Sequence, residues 1–300
     1  MTLRALYDVP APAKINLFLH VVGRREDGYH LLQSPFVLLD WADRLHLERR
    51  DDGRLVRHDL GPALPADDLC LRAARALQAE SGTTLGADIH IDKQLPWGAG
   101  LGGGSSDAAT VLLALNRLWG LHWPRQRLAA LGLRLGADVP FFIGGRNAFV
   151  EGIGERLTPL HLPRAWYALV KPPVALTTAA IFAHPALRRD TEAVIVEGSR
   201  EDEADGRVWL SAQLEDDADF GRNDLQGPAE DVAPEVAQAA RWLAARFGNS
   251  RMTGSGSAVF ARAGTGDTPM ASLPADELQA GWVGRMCRSL DQHPLYGWAG

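Results

Sequence analysis

A glycine-rich stretch in the first half of the chain constrains the fold more than any other feature. Residues 95–109 read LPWGAGLGGGSSDAA and contain five glycines and two serines. Glycine permits positive φ and leaves no Cβ between backbone and ligand, so successive N–H groups can converge on an anion. Apolar side chains at Val111, Leu115 and Leu118 then follow at helical spacing, with the two serines as candidate N-caps. Because a helix start attracts anions, the stretch predicts a phosphate-binding turn.

Two familiar phosphate motifs do not fit this stretch. Gly98-x-Gly100-x-x-Gly103 matches the dinucleotide pattern, but that motif requires a buried parallel strand before it and an acid about 20 residues later. Residues 87–93 alternate apolar and polar, which is typical of a half-exposed antiparallel strand, and residues 118–122 contain no acid. The Walker A motif requires a lysine after the last glycine, where this chain has Ser-Ser-Asp. The alternative is a flexible loop that binds no ligand. The helix that is predicted to begin directly after the glycines argues against this alternative.

Composition excludes several classes of function. The 300 residues, 46% of them hydrophobic, suffice for one large domain or two smaller ones. The net charge of −6 argues against a nucleic-acid-binding role, which normally needs a basic face. Cys70 and Cys287 are too few for a disulfide framework or a zinc site, so we expect a cytoplasmic location. No signal-type segment and no apolar run near the roughly 18 residues of a membrane span is present, so we expect no membrane partner.

The order of predicted elements favours the α+β class. The predicted strands cover residues 13–21, 36–39, 45–48, 54–58, 88–93 and 166–170. The predicted helices cover residues 67–82, the stretch after residue 105, 124–136, a short helix from 177, and 232–247. Strands and helices are segregated rather than alternating, as in α+β proteins. The acidic segment 185–227 is expected to lie mobile on the surface, and we assign it no chemistry.

Several polar residues are candidates for chemistry. Lys14 and Asn16 alternate with apolar residues, so they project from one strand face about 7 Å apart, unless that face is merely solvated. Asp138 lies among apolar residues, where it is either a general base or the N-cap of a short helix. The pair Tyr29 and His30 opens a strand as either a binding or a structural pair.

A second loop rich in glycine and serine occurs late in the chain. Residues 253–257 read TGSGS and lead directly into the apolar start of a strand. Alone, the segment predicts a tight turn. Together with residues 95–109, it could supply further N–H donors to the same anion.

Three segments together resemble the GHMP family of small-molecule kinases, namely residues 12–16, 96–109 and 253–257. The motifs Asp27-Gly-Tyr-His30 and Leu135-Gly-Ala-Asp-Val-Pro140 narrow the resemblance to a branch whose substrate carries a cytidine diphosphate group. The resemblance extends over nearly the whole chain and fades in 185–222 and after Ala263. It implies a two-lobed α+β fold with the active site in the cleft between the lobes. We expect an ATP-binding lobe over residues 1–150 and a substrate-side lobe over residues 151–300.

The resemblance also implies an activity. The branch transfers the γ-phosphate of ATP, with Mg²⁺, to the 2-hydroxyl of a cytidine-diphosphate-linked methylerythritol in the non-mevalonate route to isoprenoids. By this resemblance, Asp138 accepts the hydroxyl proton and Lys14 stabilises the developing alkoxide. The substrate-binding residues implied are Asn16, Tyr29, His30, Thr178 and Phe182, with Tyr29 and Phe182 stacked on the cytosine. The ATP-binding residues implied are Lys93, Pro96, Gly98, Ala99, Gly100, Leu101, Gly102, Gly103, Gly104, Ser105 and Ser106.

The sequence does not decide which residues bind the metal. Ser105, Ser106 and Asp107 are candidates, since an acid beside phosphates helps only with a metal between them. Asp68 stands where the family often has Asn, near the expected adenine site, and we leave it out of the site. The chain could act as a monomer or a homodimer.

Two other functions compete with this interpretation. One is another GHMP-type kinase or decarboxylase with a mevalonate-like or sugar substrate, and the other is a non-catalytic nucleotide-binding relative. The aromatic residues Tyr29 and Phe182 suit a nucleobase better than a sugar. The presence of both Lys14 and Asp138 favours an enzyme.

Overall fold

A computed structural model describes residues 3–194 and 220–300, together with Leu210, Gln213 and Leu214. The strands are β1 (Ala5–Asn16), β2 (His20–Arg24), β3 (His30–Arg50), β4 (Leu55–Asp59), β5 (Gly86–Asp92), β6 (Ala148–Gly152), β7 (Arg156–Pro159), β8 (Trp166–Lys171), β9 (Arg251–Met252), β10 (Val259–Arg262) and β11 (Val283–Arg288). The α-helices are α1 (Leu69–Ser81), α2 (Gly103–Leu118), α3 (Arg125–Leu133), α4 (Val139–Gly144), α5 (Thr178–Ala183), α6 (Gln226–Val232) and α7 (Pro234–Phe247). Short 3₁₀ turns cover Ala275–Glu277 and Tyr296–Trp298.

The long strand β3 organises the first sheet. It pairs antiparallel with β1, β2, β5 and β6, while β4 joins β5 in parallel and β7 joins β6. Apolar residues that alternate along β3 and β5, such as Leu45, Leu47 and Ile89, pack against helices α1 to α4 in one buried cluster. The pairing confirms that residues 87–93 form an antiparallel strand beside β3, although its other neighbour is parallel.

A second, four-stranded sheet has the order β11–β8–β10–β9 and is antiparallel throughout. Helix α7 covers one face, with Leu243 and Phe247 packed on the same cluster as Val259. A further buried cluster joins the two sheets, with Ile15 on one side and Phe260 on the other. The two sheets and their helices confirm the α+β class. None of the helices described is long and apolar enough to cross a membrane.

Local sequence signals predicted several elements correctly. Helix α1 begins after Asp68, whose carboxylate accepts a hydrogen bond from the Leu71 N–H at 3.0 Å, and it ends at Gly82 with φ 67°. Asp68 is also paired with Arg57 at 3.0 Å, so its contacts are structural. The predicted strands at 54–58, 88–93 and 166–170 correspond to β4, β5 and β8.

The prediction of two strands at 36–39 and 45–48 was wrong, because β3 runs unbroken through the polar residues between them. Those residues are used by neighbouring segments. The Asp40 carboxylate accepts the Arg288 N–H at 2.9 Å, and the Asp43 carboxylate accepts the N–H groups of Gln94 and Leu95 at 2.6 and 2.7 Å. Polar side chains that bind another segment's backbone therefore do not interrupt a strand.

Three other boundaries differ from prediction. The predicted strand 13–21 is two strands, β1 and β2, separated at residues 17–19. The predicted helix 232–247 is two helices, since Pro234 begins α7 and Val232 is exposed at the end of α6. The serines do not cap α2. Its N-cap is Gly102 with φ 71°, and Ser105 and Ser106 lie within the first turn.

The boundary between the strands of the first sheet and those of the second falls after Pro159. Residue 150 lies inside β6, and β7 still belongs to the first sheet. The C-terminal residues return to that sheet, where the Leu290 N–H donates to the Leu38 carbonyl at 2.8 Å. Of the acidic segment, residues 195–209, 211–212 and 215–219 lie outside the described residues. Its two ends are packed rather than superficial, since the buried Thr191 hydroxyl donates to the Asp224 carboxylate at 2.6 Å.

Candidate active site

The glycine-rich loop presents the free N-terminus of α2. Intrahelical bonding begins with the Ser106 N–H on the Gly102 carbonyl at 2.9 Å, so the preceding N–H groups of the first turn have no helical acceptor. Gly98, Gly100 and Gly102 have φ values of 61°, 73° and 71°, which L side chains rarely adopt. The loop geometry therefore suits an anion at the positive end of a sixteen-residue helix.

The two glycine-serine loops meet directly. A Cβ added to Gly100 would lie 2.1 Å from the Thr253 carbonyl oxygen, so only glycine fits there. The Ser257 N–H donates to the Gly98 carbonyl at 3.0 Å. From beneath, the buried Asn223 amide donates to the carbonyls of Met252 and Gly254 at 2.7 and 2.8 Å. The second loop is thus fixed against the first.

A cavity of about 260 Å³ lies between these loops and the first sheet. Glycines of both loops form part of its wall. Its polar lining residues are Lys14, Asn16, Ser34, Asp138, Thr178 and Ser255. Predicted site residues from distant parts of the sequence therefore share one cavity, namely Lys14, Asn16, Asp138, Thr178, Phe182 and the glycines at 98, 100 and 102.

Lys14 and Asp138 face each other in this cavity. The Lys14 ammonium lies 3.5 Å from an Asp138 carboxylate oxygen, with the lysine side chain 5% and the aspartate side chain 31% exposed. The ammonium also donates to the Asn16 side-chain oxygen at 2.6 Å and lies 4.4 Å from the centre of the Phe36 ring. Asp138 precedes α4, yet its side chain makes no capping hydrogen bond. Asp138 is therefore the N-cap residue of α4 by position, but its carboxylate does not cap the helix and is available to a ligand.

The Asn16 amide orients the lysine. Its NH₂ group donates to the Ser34 hydroxyl at 2.8 Å, and its backbone N–H donates to the Thr253 hydroxyl at 3.0 Å. Its side-chain oxygen accepts from Lys14, so the nearly inaccessible Asn16 has protein partners for this oxygen and for one N–H of its amide. The solvated-edge interpretation of this strand face is therefore wrong.

Of the residues predicted to bind the base, Phe182 belongs to the cavity wall, whereas Tyr29 and His30 do not. Phe182 lines the cavity, and its ring stacks on His30 with centroids 4.9 Å apart and planes 28° apart. Burial, together with the positive charges of Arg189 and Arg24, lowers the pKa of His30. Tyr29 is 61% exposed and is not part of the cavity wall. Thr178 faces the second loop, with its hydroxyl 2.8 Å from the Ser255 hydroxyl.

Lys93 lies in a sealed ion cluster beneath the glycine-rich loop. Its ammonium donates to Asp43 and, at 2.6 Å, to Asp107, and a Cβ added to Gly103 would lie 3.4 Å from it. Its side chain is 14% exposed. Burial tends to lower the pKa of Lys93, but the two carboxylates outweigh it and the pKa is raised. The structure thus gives Lys93 two carboxylate partners instead of a place on the cavity wall.

The carboxyl group of Asp107 is the most perturbed acid of this cluster. Burial raises its pKa to about 8, with Lys93 acting against the shift and Asp43 adding to it. Because Lys93 lies between two buried carboxylates, the cluster favours retention of one proton on Asp107 near neutral pH.

The remaining predicted ATP contacts are of two kinds. Ala99, Leu101 and Ser106 are buried. The Leu101 carbonyl is already used by the Lys14 N–H at 3.0 Å. The other residues of the loop are at least partly accessible and are Pro96, Gly98, Gly100, Gly102, Gly103, Gly104 and Ser105.

Oxygen atoms suited to a magnesium ion are present at the start of α2. The Ser106 hydroxyl and one Asp107 carboxylate oxygen are buried without a hydrogen-bond partner. Within the described residues, no cluster of three or more His, Cys, Asp or Glu is arranged to hold a metal ion. Mg²⁺ commonly takes one or two protein oxygens and completes its shell with water and phosphate. The residues therefore fit a magnesium ion that arrives with a nucleotide.

Sequence reasoning missed three residues that shape the site. Asp43 lies within β3, where the sequence predicted a break between two strands. Asn223 and Arg189 lie near the two ends of the acidic segment. Asn223 fixes the second loop, and Arg189 donates to His30 Nε2 at 3.2 Å. Neither has a periodic or motif signal in the sequence, because these particular contacts join residues more than 25 positions apart.

The fold and this site define a small-molecule kinase of the GHMP type. The model of the family "GHMP kinases N terminal domain" matches residues 68–146, which include the glycine-rich loop and Asp138. Crystal structures of a Methanococcus jannaschii mevalonate kinase and a Cytophaga hutchinsonii homoserine kinase share the fold, with TM-scores of 0.64 and 0.66 at 13% and 15% identity. They cover 96% and 97% of this chain, which spans 99% and 95% of theirs.

Full-length relatives narrow the class. A protein of Methylibium petroleiphilum named 4-diphosphocytidyl-2-C-methyl-D-erythritol kinase is 64% identical over 100% of both chains. A Variovorax paradoxus protein of the same name is 54% identical over 99% of this chain and 100% of its own. A crystal structure of 4-(cytidine 5'-diphospho)-2C-methyl-D-erythritol kinase has a TM-score of 0.74 at 37% identity, over 93% of this chain and 98% of that one. The chain belongs to the 4-diphosphocytidyl-2-C-methyl-D-erythritol kinase family.

Proposed function

We propose that the protein transfers the γ-phosphate of ATP to the 2-hydroxyl of 4-diphosphocytidyl-2-C-methyl-D-erythritol. The observation that carries the proposal is the Lys14–Asp138 pair, 3.5 Å apart in a cavity walled by two glycine-serine loops. Relatives of 64% and 54% identity bear the name of this kinase. The reaction is a step of isoprenoid synthesis by the non-mevalonate route.

Asp138 and Lys14 divide the chemistry at the acceptor alcohol. The Asp138 carboxylate accepts the hydroxyl proton as the oxygen attacks the γ-phosphorus and ADP leaves. The Lys14 ammonium stabilises the negative charge that develops on that oxygen. Asn16 holds the ammonium in place, since its side-chain oxygen accepts from Lys14 at 2.6 Å. Transfer then depends mainly on positioning and charge, which these groups supply.

The start of α2 binds the phosphates of ATP. Its N–H groups donate to the phosphate oxygens, and the positive end of the helix stabilises their charge. The hydroxyls of Ser105 and Ser106 would hold Mg²⁺ together with the phosphates, with Asp107 behind them. When bound, the metal neutralises charge on the transferred group. The sealed cluster of Lys93 supports this turn from below.

The cytidine end of the substrate lies beside α5. Phe182 and Tyr29 stack on the cytosine, and the neutral His30 donates a hydrogen bond to its edge. Thr178 and Asn16 hold the polar chain between the base and the reacting alcohol. Tyr29, which is exposed here, moves onto the base when the substrate binds.

We also propose a cytoplasmic enzyme whose site needs only one chain. Both cysteines are free and buried, in keeping with a reducing compartment. Every residue assigned above comes from a single copy, so both a monomer and a homodimer are compatible with activity. We propose that residues 1–150 carry the ATP and residues 151–300 complete the substrate side.

An assay of ADP release with different acceptor alcohols tests the function. The purified protein is incubated with ATP, Mg²⁺ and one of four acceptors: the cytidine-linked alcohol, mevalonate, phosphomevalonate or galactose. We expect turnover with the first and at least about 10³-fold lower kcat/KM with the others, because they lack the cytosine contacts. Comparable turnover with mevalonate or galactose would overturn the proposal.

A further inference from the structure

We propose that Arg189 is a positioning residue that fixes the tautomer of His30 and thereby makes the enzyme select cytosine over uracil. The inference rests on the proposed function, in which His30 contacts the base. It assigns a role to a residue that does not line the cavity.

The guanidinium of Arg189 is held rigidly by backbone carbonyls. It donates to the carbonyl oxygens of Leu187 at 3.0 Å, Phe182 at 3.1 Å and His184 at 3.2 Å. No carboxylate pairs with it in the part of the chain that the structure describes. Because the planar group is fixed on several sides, the direction of its Nε–H is fixed as well.

That Nε–H points at the His30 ring. Arg189 Nε lies 3.2 Å from His30 Nε2. A guanidinium can only donate hydrogen bonds, so His30 Nε2 must be the acceptor and must carry no proton. In the neutral ring the proton is then on Nδ1. Among the described residues Nδ1 has no hydrogen-bond partner, so the free edge of the ring is a donor.

Arg189 also fixes the ring with respect to the cavity. It binds both the His30 side chain and the Phe182 carbonyl, and these two residues stack with their centroids 4.9 Å apart. Phe182 belongs to the cavity wall. One cation therefore sets both the position of the two rings and the protonation pattern of the imidazole.

A donor at this position distinguishes two pyrimidines. The N3 atom of cytosine is an acceptor, whereas N3 of uracil carries a hydrogen and is a donor. A fixed Nδ1–H pairs with cytosine and confronts uracil with two donors, which leaves both groups unpaired. Without Arg189 the imidazole could take the other tautomer, present Nδ1 as an acceptor and pair with uracil.

Substrate competition between the cytidine-linked alcohol and its uridine analogue tests the inference. We expect the wild-type kcat/KM to favour cytidine by about 10²-fold or more. In Arg189→Met the methionine side chain has no hydrogen-bond donor. We expect the preference for cytidine to fall about tenfold or more, through KM rather than kcat. Arg189→Lys, which can only donate, retains more of the ratio than the Met variant. Arg188→Met, at an exposed neighbour paired with Asp190 at 3.3 Å, leaves the ratio unchanged.

The outcomes separate the inference from the function. If the wild type phosphorylates neither alcohol, the proposed function fails. If it prefers cytidine and Arg189→Met weakens both substrates equally, Arg189 is only structural and the inference fails. Equal ratios for the Lys and Met variants also contradict it.

A spectroscopic measurement keeps the test independent of variant folding. Long-range ¹⁵N–¹H correlation spectra of wild-type enzyme distinguish the two neutral imidazole tautomers, and His30→Gln identifies the His30 signals among the nine histidines. We expect a protonated Nδ1 and an unprotonated Nε2. A protonated Nε2 overturns the inference.

Discussion

Two lysines near the glycine-rich loop, the buried Lys14 and the partly buried Lys93, have opposite surroundings. Lys14 has one carboxylate at 3.5 Å, and that carboxylate, on Asp138, is open to the cavity. Lys93 lies between Asp43 and Asp107, both with almost no exposed surface. The first pair is available to a substrate, whereas the second is saturated by the protein. The difference indicates that one ammonium serves the reaction and the other serves the fold, and variants of the two regions can break or sharpen this contrast.

The largest expected effect is a loss of turnover when the Lys14–Asp138 pair is changed. Asp138→Asn removes the proton acceptor while it keeps the shape of the side chain. We expect kcat to fall about 10²- to 10⁴-fold, which is roughly 3 to 5 kcal/mol of barrier. Steady-state kinetics measure the fall in kcat. We expect the ATP affinity, measured by titration, and the thermal stability to remain unchanged. Asp67→Asn, at an exposed residue, is the matched control. A variant with wild-type kcat would end the assignment of Asp138 as the base.

The next largest effect is a loss of stability when the ion cluster of Lys93, Asp43 and Asp107 is changed. Lys93→Met leaves the buried carboxyl groups of Asp43 and Asp107 without their cation, and loss of one partner from a buried ion pair costs about 3 to 5 kcal/mol. Denaturant unfolding measures the loss. Lys14→Met is the matched control, since its partner Asp138 is partly solvated, and we expect it to lose much less stability but most activity. Equal losses of stability in the two variants would remove the contrast between the lysines.

A smaller effect is expected at Tyr29, which is exposed and lies outside the cavity wall. Tyr29→Ala should weaken binding of the cytidine-linked alcohol by about 1 to 3 kcal/mol if the ring stacks on the base. Tyr29→Phe retains the ring and should bind nearly as wild type. Isothermal titration against the alcohol and against ATP separates the two ligands. A loss confined to ATP would place Tyr29 at the wrong end of the site.

The last expected effect is a pH dependence of the stability of the Lys93 ion cluster. Burial raises the pKa of Asp107 from an ordinary 3.8 to about 8, so the native state binds more protons than the unfolded state between these values. The stabilisation from the Asp107 proton is therefore complete below about pH 4, decreases as pH rises and is lost above pH 8. We expect the unfolding free energy of wild type relative to Asp107→Asn to fall between pH 5 and 8.5. A difference that rises over this range would contradict a protonated Asp107.

Local chemistry explains which parts of the molecule the sequence could reveal. The caps of α1 and the glycine-rich turn act on neighbouring residues, so their signals are visible in short segments. The Lys14–Asp138 pairing came from a family resemblance, since no local rule brings residues so distant together. The unbroken β3 was missed because Asp40 and Asp43 resemble turn residues until the segments that use their carboxylates are known.

The contacts that complete the site are the least visible in sequence. Asp43 meets Lys93 across 50 positions, and Arg189 meets His30 across 159. Such pairs are fixed by how the two sheets pack, and a single sequence has no pattern for that packing. The serine caps failed for a different reason, because glycine at positive φ could itself take the N-cap of α2.

The most direct test of the open site is a crystal structure with a non-hydrolysable ATP analogue and the cytidine-linked alcohol together. The account predicts the γ-phosphorus above the N–H groups of Gly103 to Ser105. It also predicts the 2-hydroxyl within about 2.6 to 3.2 Å of the Asp138 carboxylate, with Lys14 beside it. Phosphates bound away from the start of α2, or a hydroxyl out of reach of Asp138, would contradict it.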